Sequence, residues 1–241
     1  MMKVIVFSDV HANLPALKAM EKEIKHEGYD AAFHTGDAIG MGPFPSETLD
    51  TLLNIPKIHP IMGNHDAWFI NGLPAPRPQW LTDEELKHYR WTYSQIDLKL
   101  KSIMAQWPYL AEHEFEGLKT AFVHYTLTKC GKNISLIIND PITKDMDKLT
   151  GHHSSLLVFH GHSHHSSDIK GKVRYINPGS LGCYHKPLAR YIIATFNKGK
   201  VHIEHREAQY NDTSLYNAFE ERKVPKRELI YSAFFGDRWK K

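Results

Sequence analysis

The 241-residue chain carries 30 basic and 27 acidic side chains, a formal net charge of +3, and 41% of its residues are apolar. That balance is too near neutral to argue for nucleic acid, and no apolar run nears the roughly 18 residues of a membrane span. Two cysteines, Cys130 and Cys183, make neither a disulfide framework nor a C-x-x-C pair, so a reducing, cytoplasmic location is expected.

Val4–Phe7 is a short apolar run ending at Ser8-Asp9, the pattern of a buried parallel strand, and the N-terminus reads as this strand and not as a signal peptide. Asn13 is placed to cap a helix with Pro15 in its first turn, and Leu14, Leu17, Met20 and Ile24 give that helix one apolar face up to Gly28. Ala31–Thr35 reads as a second strand ending at Gly36-Asp37. Ser46 is expected to cap a helix through about Asn54, and Ile58–Met62 reads as a third strand ending at Gly63-Asn64. Asp9, Asp37 and Asn64 are separated by 28 and 27 residues, close to the roughly 30 of a strand-helix-strand unit, so right-handed units bring all three to one sheet edge. Residues 67–110 read as a helical insertion, with a long helical pattern from Thr82 to about Ala105 broken near Ser94 and four of the five tryptophans within it. Strands resume at Ala121–His124, Leu156–His160 and Val173–Ile176. Tyr191–Phe196 and Val201–His205 flank Asn197-Lys198-Gly199 as a hairpin, and residues 206–241 form a C-terminal extension, helical from Leu215 to Phe235 with a break at Val224-Pro225. No linker divides the chain, and residues 1–241 are taken as one domain.

Five short Asp, Asn and His clusters fall where these strands end, in a chain with seventeen histidines and no tag-like run. Each has a blander reading alone: Asp9 as a helix cap, His124 as a core histidine, Asp66 as a cap. Together Asp9, His11, Asp37, Asn64, His124, His162 and His164 offer seven donors, too many for one octahedral ion. If Asp37 bridges, they divide into Asp9, His11, Asp37 and His164 around one ion and Asp37, Asn64, His124 and His162 around another. Extended geometry would put Asp9 and His11 on one side of the chain. Mixed nitrogen and oxygen donors suit manganese, iron or zinc better than magnesium or calcium.

The motifs Asp9-Val10-His11, Gly36-Asp37-Ala38-Ile39-Gly40, Gly63-Asn64-His65-Asp66, His124 and Gly161-His162-Ser163-His164 resemble the calcineurin-like metallophosphoesterase superfamily. Asn177-Pro178-Gly179-Ser180 and Gly40-Met41-Gly42-Pro43 resemble a bacterial and archaeal single-domain branch of it. The resemblance implies a mixed α/β fold, a four-layer αββα sandwich of two mixed β-sheets between helices. It implies two divalent ions, manganese foremost with iron, zinc or nickel as alternatives, and hydrolysis of a phosphodiester or phosphomonoester by a hydroxide shared between them, with the diester favoured. His65 is the candidate to stabilise the phosphate or protonate the leaving group, and Asp66 to orient it. Asn64, His65, Tyr125 and Trp68 are candidate substrate contacts, Trp68 or Phe69 the insertion's contribution, and Asn177 and Ser180 candidate supports behind the ligands. Tyr125 stands where relatives usually carry glycine. The expected partner is a small phosphoester, with no membrane; a homo-oligomer stays open. So do a non-catalytic scaffold of the same fold and a nuclease acting on DNA or RNA.

Overall fold

Val4 and Val6 of β1 (Met2–Phe7) join one buried cluster, and Ile5 and Phe7 join another, all fully buried. Successive side chains of a strand point to opposite faces, so this strand has a core on each side. The computed structural model describes residues 1–127, 143–150, 155–236 and 238. From β1 the chain runs through α1 (Leu14–Glu27), β2 (Ala31–His34), α2 (Pro45–Leu53) and β3 (Ile58–Pro60). Three helices follow, α3 (Asn64–Asn71), α4 (Asp83–Ser94) and α5 (Leu98–Met104), then β4 (Leu110–Phe115) and β5 (Leu118–Val123). Next come α6 (Thr143–Thr150), β6 (Leu157–Phe159), β7 (Ser167–Lys170), β8 (Arg174–Asn177), the hairpin β9 (Leu188–Asn197) and β10 (Lys200–Gln209), and the last helices α7 (Thr213–Glu221) and α8 (Arg227–Phe235).

Two mixed five-stranded sheets result, in the orders β10-β9-β1-β2-β3 and β4-β5-β6-β8-β7. In the first, β1, β2 and β3 are parallel; in the second, β5, β6 and β8 are parallel. The sheets face each other through Val4, Val6, Phe33, Phe122, Phe159 and Ile192, with Phe33 and Phe122 stacked at 3.7 Å between ring centroids. The outer face of the first sheet is covered by Leu17, Met20 and Ile24 of α1 and Leu49 and Leu52 of α2. Met146 of α6 packs with Ala121, Val123, Val158 and Tyr175 on the outer face of the second. This is the layering that the resemblance implies.

The sequence-based expectations err locally, for physical reasons. Ser46 does not cap α2: Pro45, with its fixed φ and missing N–H, occupies the first turn after Phe44, and the Ser46 hydroxyl instead accepts from the Asp97 backbone N–H at 3.1 Å. The third strand stops at Pro60. The C-terminal extension begins as strand, because β10 stays paired with β9 as far as Gln209, and its helices α7 and α8 flank the expected break at Val224-Pro225. β4 and β7 were not anticipated: Glu112, His113 and Glu114 are exposed on β4, and neither edge strand shows the apolar alternation that marks a half-buried one. Cys130, Trp239, Lys240 and Lys241 lie outside the described residues. No helix among those described is long and apolar enough to cross a membrane.

Candidate metal centre

The carboxyl ends of β1, β2, β3, β5 and β6 deliver Asp9, Asp37, Asn64, His124 and His162 to one rim of the sandwich. The loops leaving β1 and β2 pair with each other: Asp9 N–H donates to Gly36 O at 2.9 Å and His11 N–H to Asp37 O at 3.0 Å. The backbone there is not extended. Asp9, His11, Asp37, His162 and His164 all have φ between 47° and 70°. The expectation of an extended Asp9–His11 pair is therefore corrected: both side chains reach the site through left-handed turns. Such conformations cost energy for non-glycine residues and collect at functional sites, where the surroundings hold them.

Close approach of these loops needs glycine, as Gly63 and Gly161 show. A Cβ on Gly63 would stand 2.2 Å from Asp37 Oδ1, and one on Gly161 would stand 1.9 Å from Ser8 Oγ and 2.6 Å from Asp9 Oδ2. Asp66 binds the arrangement together. Its two oxygens accept from the backbone N–H groups of Asp37 (2.8 Å), Ala38 (3.1 Å), Ile39 (3.3 Å) and Gly63 (3.1 Å). Of the two readings of Asp66, the carboxylate is placed as a cap across two loops and not against the His65 ring. Burial, then the charge of Asp37, push its carboxyl up to about 7.

The donors converge as two groups. In one, His11 Nε2 lies 2.9 Å from His164 Nε2, 3.7 Å from Asp9 Oδ1 and 3.9 Å from Asp37 Oδ2, with His164 Nε2 3.4 Å from Asp9 Oδ1. In the other, His124 Nε2 lies 3.1 Å from Asn64 Oδ1, 3.1 Å from His162 Nδ1 and 3.2 Å from Asp37 Oδ2. Asp37 Oδ2 faces both groups, whereas Asp37 Oδ1 accepts the His65 N–H at 2.9 Å. Of the two Asp37 oxygens, only Oδ2 faces both donor groups.

Hydrogen bonding sets which ring nitrogens carry protons. His11 Nδ1 is 3.1 Å from Ile39 O, and His124 Nδ1 is 2.8 Å from Thr35 O. A carbonyl only accepts, so in both rings Nδ1 donates and the neutral tautomer leaves a lone pair on Nε2. These lone pairs point at other acceptors: a carboxylate oxygen, an amide oxygen, a second imidazole. Ligands at right angles around an ion bound at about 2.0–2.2 Å stand about 3 Å apart, which is the spacing of the His124 group. A backbone carbonyl behind a ligating imidazole is the usual support. The residues therefore fit divalent cations. Burial draws His11 down to about 3 and His162 to about 4, keeping both rings neutral. Burial would lower His124 too, but the Asp37 charge beside it lifts it to about 9, so the site attracts positive charge. For Asp37 itself, burial is overcome by His124, His65 and His11, and the carboxylate stays well below its ordinary range.

Further groups support the ligands. Asn177 Nδ2 donates to Gly161 O at 2.8 Å and to Ser163 Oγ at 3.1 Å, and Ser180 Oγ donates to Asp9 O at 2.7 Å, so both side chains hold loops that carry candidate ligands. Arg190, not anticipated from the sequence, is buried and donates to His164 O at 2.8 Å and to Ser180 O at 3.2 Å. Cys183 was set aside in the sequence, yet Sγ lies within 4.8 Å of the His11 and His164 ring nitrogens; burial pushes its thiol well above the ordinary range, so it stays protonated.

Beside the ligands opens a cavity of about 360 Å3, with Asn64, His65 and His162 at its inner end. Trp68, Trp80 and Tyr89 form one wall, and Leu229 and Phe234 of α8 another. The His65 ring lies 5.0 Å from Trp68 and 5.7 Å from Tyr89. Tyr125 is buried against the His162 ring at 5.2 Å, and Phe69 is part of the core. The α4 and α8 contributions were not legible: their spacing reads as ordinary helix packing, and only the density of aromatics marked the insertion.

Several proteins resemble this chain. An uncharacterized protein of Methanocaldococcus jannaschii is 24% identical over 92% of this chain and 93% of its own. A hypothetical protein of Pyrococcus horikoshii, solved by crystallography, superposes with a TM-score of 0.80 at 19% identity, covering 98% of this chain and 99% of that one. A metallophosphoesterase from Sphaerobacter thermophilus gives 0.71 at 21% identity, over 95% and 96%. At these identities the structural likenesses speak for the fold. The family model of the calcineurin-like phosphoesterase superfamily domain matches residues 2–199. Matched over most of its length, the chain belongs to the calcineurin-like phosphoesterase superfamily, a family of metal-dependent phosphoester hydrolases.

Proposed function

We propose that this protein is a phosphodiesterase that works with two divalent cations, manganese foremost, held by Asp9, His11, Asp37 and His164 and by Asp37, Asn64, His124 and His162. The observation that carries the proposal is Asp37 Oδ2 facing both donor groups. Bound cations would supply the Lewis acidity that makes water nucleophilic near neutral pH and would balance phosphoryl charge. His65 Nδ1 is buried with no hydrogen-bond partner among the described residues, and Nε2 lies 4.0 Å from Asp37 Oδ2. The proton of the neutral ring therefore belongs on Nε2, where it can be donated to a phosphoryl oxygen or to the departing alkoxide. The left-handed turns and the Asp66 cap fix the ligand loops before substrate arrives. The diester is favoured over the monoester because a dianion needs additional free cations. Lys226, which lines the cavity, is already tied to Glu85.

The test is a chelator-stripped preparation reloaded in turn with manganese, nickel, zinc and magnesium, and assayed on bis(p-nitrophenyl) phosphate and p-nitrophenyl phosphate. Manganese is expected to give the fastest turnover, on the diester, with two equivalents bound per chain. Asp37→Ala should lose both equivalents and all turnover. Retained activity in that variant refutes the shared ligand, and a faster monoester reaction refutes the substrate preference.

A further inference from the structure

The cavity beside the ligands is larger than a phosphate needs, and its walls differ in chemistry from its floor. Trp68 and Trp80 pack on each other, with ring centroids 5.2 Å apart and tilted by 31°, and Tyr89 stands edge-on to Trp68 at 5.6 Å, so the wall is aromatic throughout. Leu229 and Phe234 of α8 close the other side. Such a slot suits a flat ring lying against the indoles.

Besides His65, a second histidine of the lining has a ring nitrogen without a partner among the described residues. The His88 ring is buried, its Nδ1 lies 3.0 Å from Pro225 O, and its Nε2 is buried with no hydrogen-bond partner among the described residues. The Pro225 carbonyl only accepts, so Nδ1 carries the proton and Nε2 is left as an acceptor. Burial draws the ring down to about 4, which keeps it neutral at physiological pH. A buried acceptor without a donor is costly, and a ligand N–H would satisfy it. His88, Tyr89 and His65 form a row, with centroids 6.1 Å and 5.7 Å apart, that leads from this acceptor back to the ligands.

We infer that the cavity holds the leaving group of the substrate, and that this group is a nucleoside of adenine or cytosine, lying against the Trp68–Trp80 pair and donating its amino group to His88 Nε2. Adenine and cytosine present an amino donor where guanine and uracil present a carbonyl acceptor, which would face the His88 lone pair. The inference rests on the phosphodiesterase reading for the reaction, but the base pocket is testable without turnover.

Calorimetric titration of the metal-loaded protein should give saturable binding of adenosine. Purine riboside, which lacks the amino group, and inosine, which has a carbonyl there, should each bind about 10-fold more weakly. Trp68→Ala should weaken adenosine binding by roughly 10-fold or more, and His88→Leu should bring adenosine and purine riboside to the same affinity. The analogue series needs no variant, so the test stands even where His88→Leu fails to fold. In parallel, the methyl diester of adenosine 5′-monophosphate should be hydrolysed with a higher kcat/KM than the uridine diester. Turnover of bis(p-nitrophenyl) phosphate without adenosine binding, or with adenosine and inosine binding alike, overturns the base pocket and leaves the phosphodiesterase reading intact. Selective adenosine binding with no diester hydrolysed keeps the pocket and overturns the hydrolase reading instead.

Discussion

His65 and Asp66 are neighbours in sequence with separate tasks in the structure. His65 faces the cavity and comes within 4.0 Å of Asp37 Oδ2; its ring nitrogen also clusters with His11 and Asp37 as a candidate donor, but in the proposed function it serves the substrate and not a cation. His65→Ala should therefore keep both metal equivalents and lose roughly 10²–10⁴ in rate; lost metal in that variant would make it a ligand. The Asp66 carboxylate accepts from four backbone N–H groups and not from the His65 ring. Asp66→Asn turns an N–H donor toward those amides and should cost roughly 2–4 kcal/mol of stability, with weaker metal binding. If Asp66 instead served to orient His65, the variant would shift the pH profile of kcat while melting at the wild-type temperature. The two roles were indistinguishable in the sequence, because an acidic residue in the first turn of a helix fits both. The Asp9-x-His11 and His162-x-His164 pairs were legible by type and spacing, but their left-handed backbone was not, since neither Asp nor His demands positive φ.

Among the elements, the strand ends were the most legible feature. The near-equal spacing of Asp9, Asp37 and Asn64 follows from the length of a strand-helix-strand unit, and β1, β2 and β3 are parallel neighbours accordingly. The turn after β8 was harder to read, because an ordinary Pro-Gly turn has the same residues. Its role comes from Arg190 on β9, which donates to carbonyls at Ser180 and at His164. Arg190→Met leaves both buried carbonyls without these donors, and should destabilise the protein by roughly 2–4 kcal/mol. It should also weaken binding at the Asp9, His11, Asp37 and His164 group by about 10–100-fold. Stepwise metal titration separates this from a global effect: equal weakening of both equivalents would refute a role confined to that loop.

For the whole molecule, buried histidines set the pH response. His11, His34, His88, His160 and His162 are held by burial at about 3 to 4, below the ordinary 6.5. Their contribution is present above pH 6.5 and is lost as pH falls from there toward 4. His124 is lifted to about 9, so its contribution is full below 6.5 and is lost as pH rises through 9. Asp66, raised from 3.8 to about 7, opposes the histidines on the acid side as a single group. Chelated protein should therefore melt highest near neutral pH and lose stability toward both extremes, and manganese should remove the alkaline decline by taking the place of the His124 proton. Melting temperatures of chelated protein that climb steadily from pH 7 to 9.5 would contradict this. The layering was legible only through the family resemblance: periodicity located β1 and β2, whereas the edge strands β4 and β7 carry no such signal. Each donor group draws on both sheets, since His164 meets Asp9 and His11 while His124 and His162 meet Asn64 and Asp37. A growing chain thus finishes neither cation nest until the second leaf has emerged and docked. On the two-cation reading, metal capture would then be a late rivet in assembly, set only after both leaves have closed on each other.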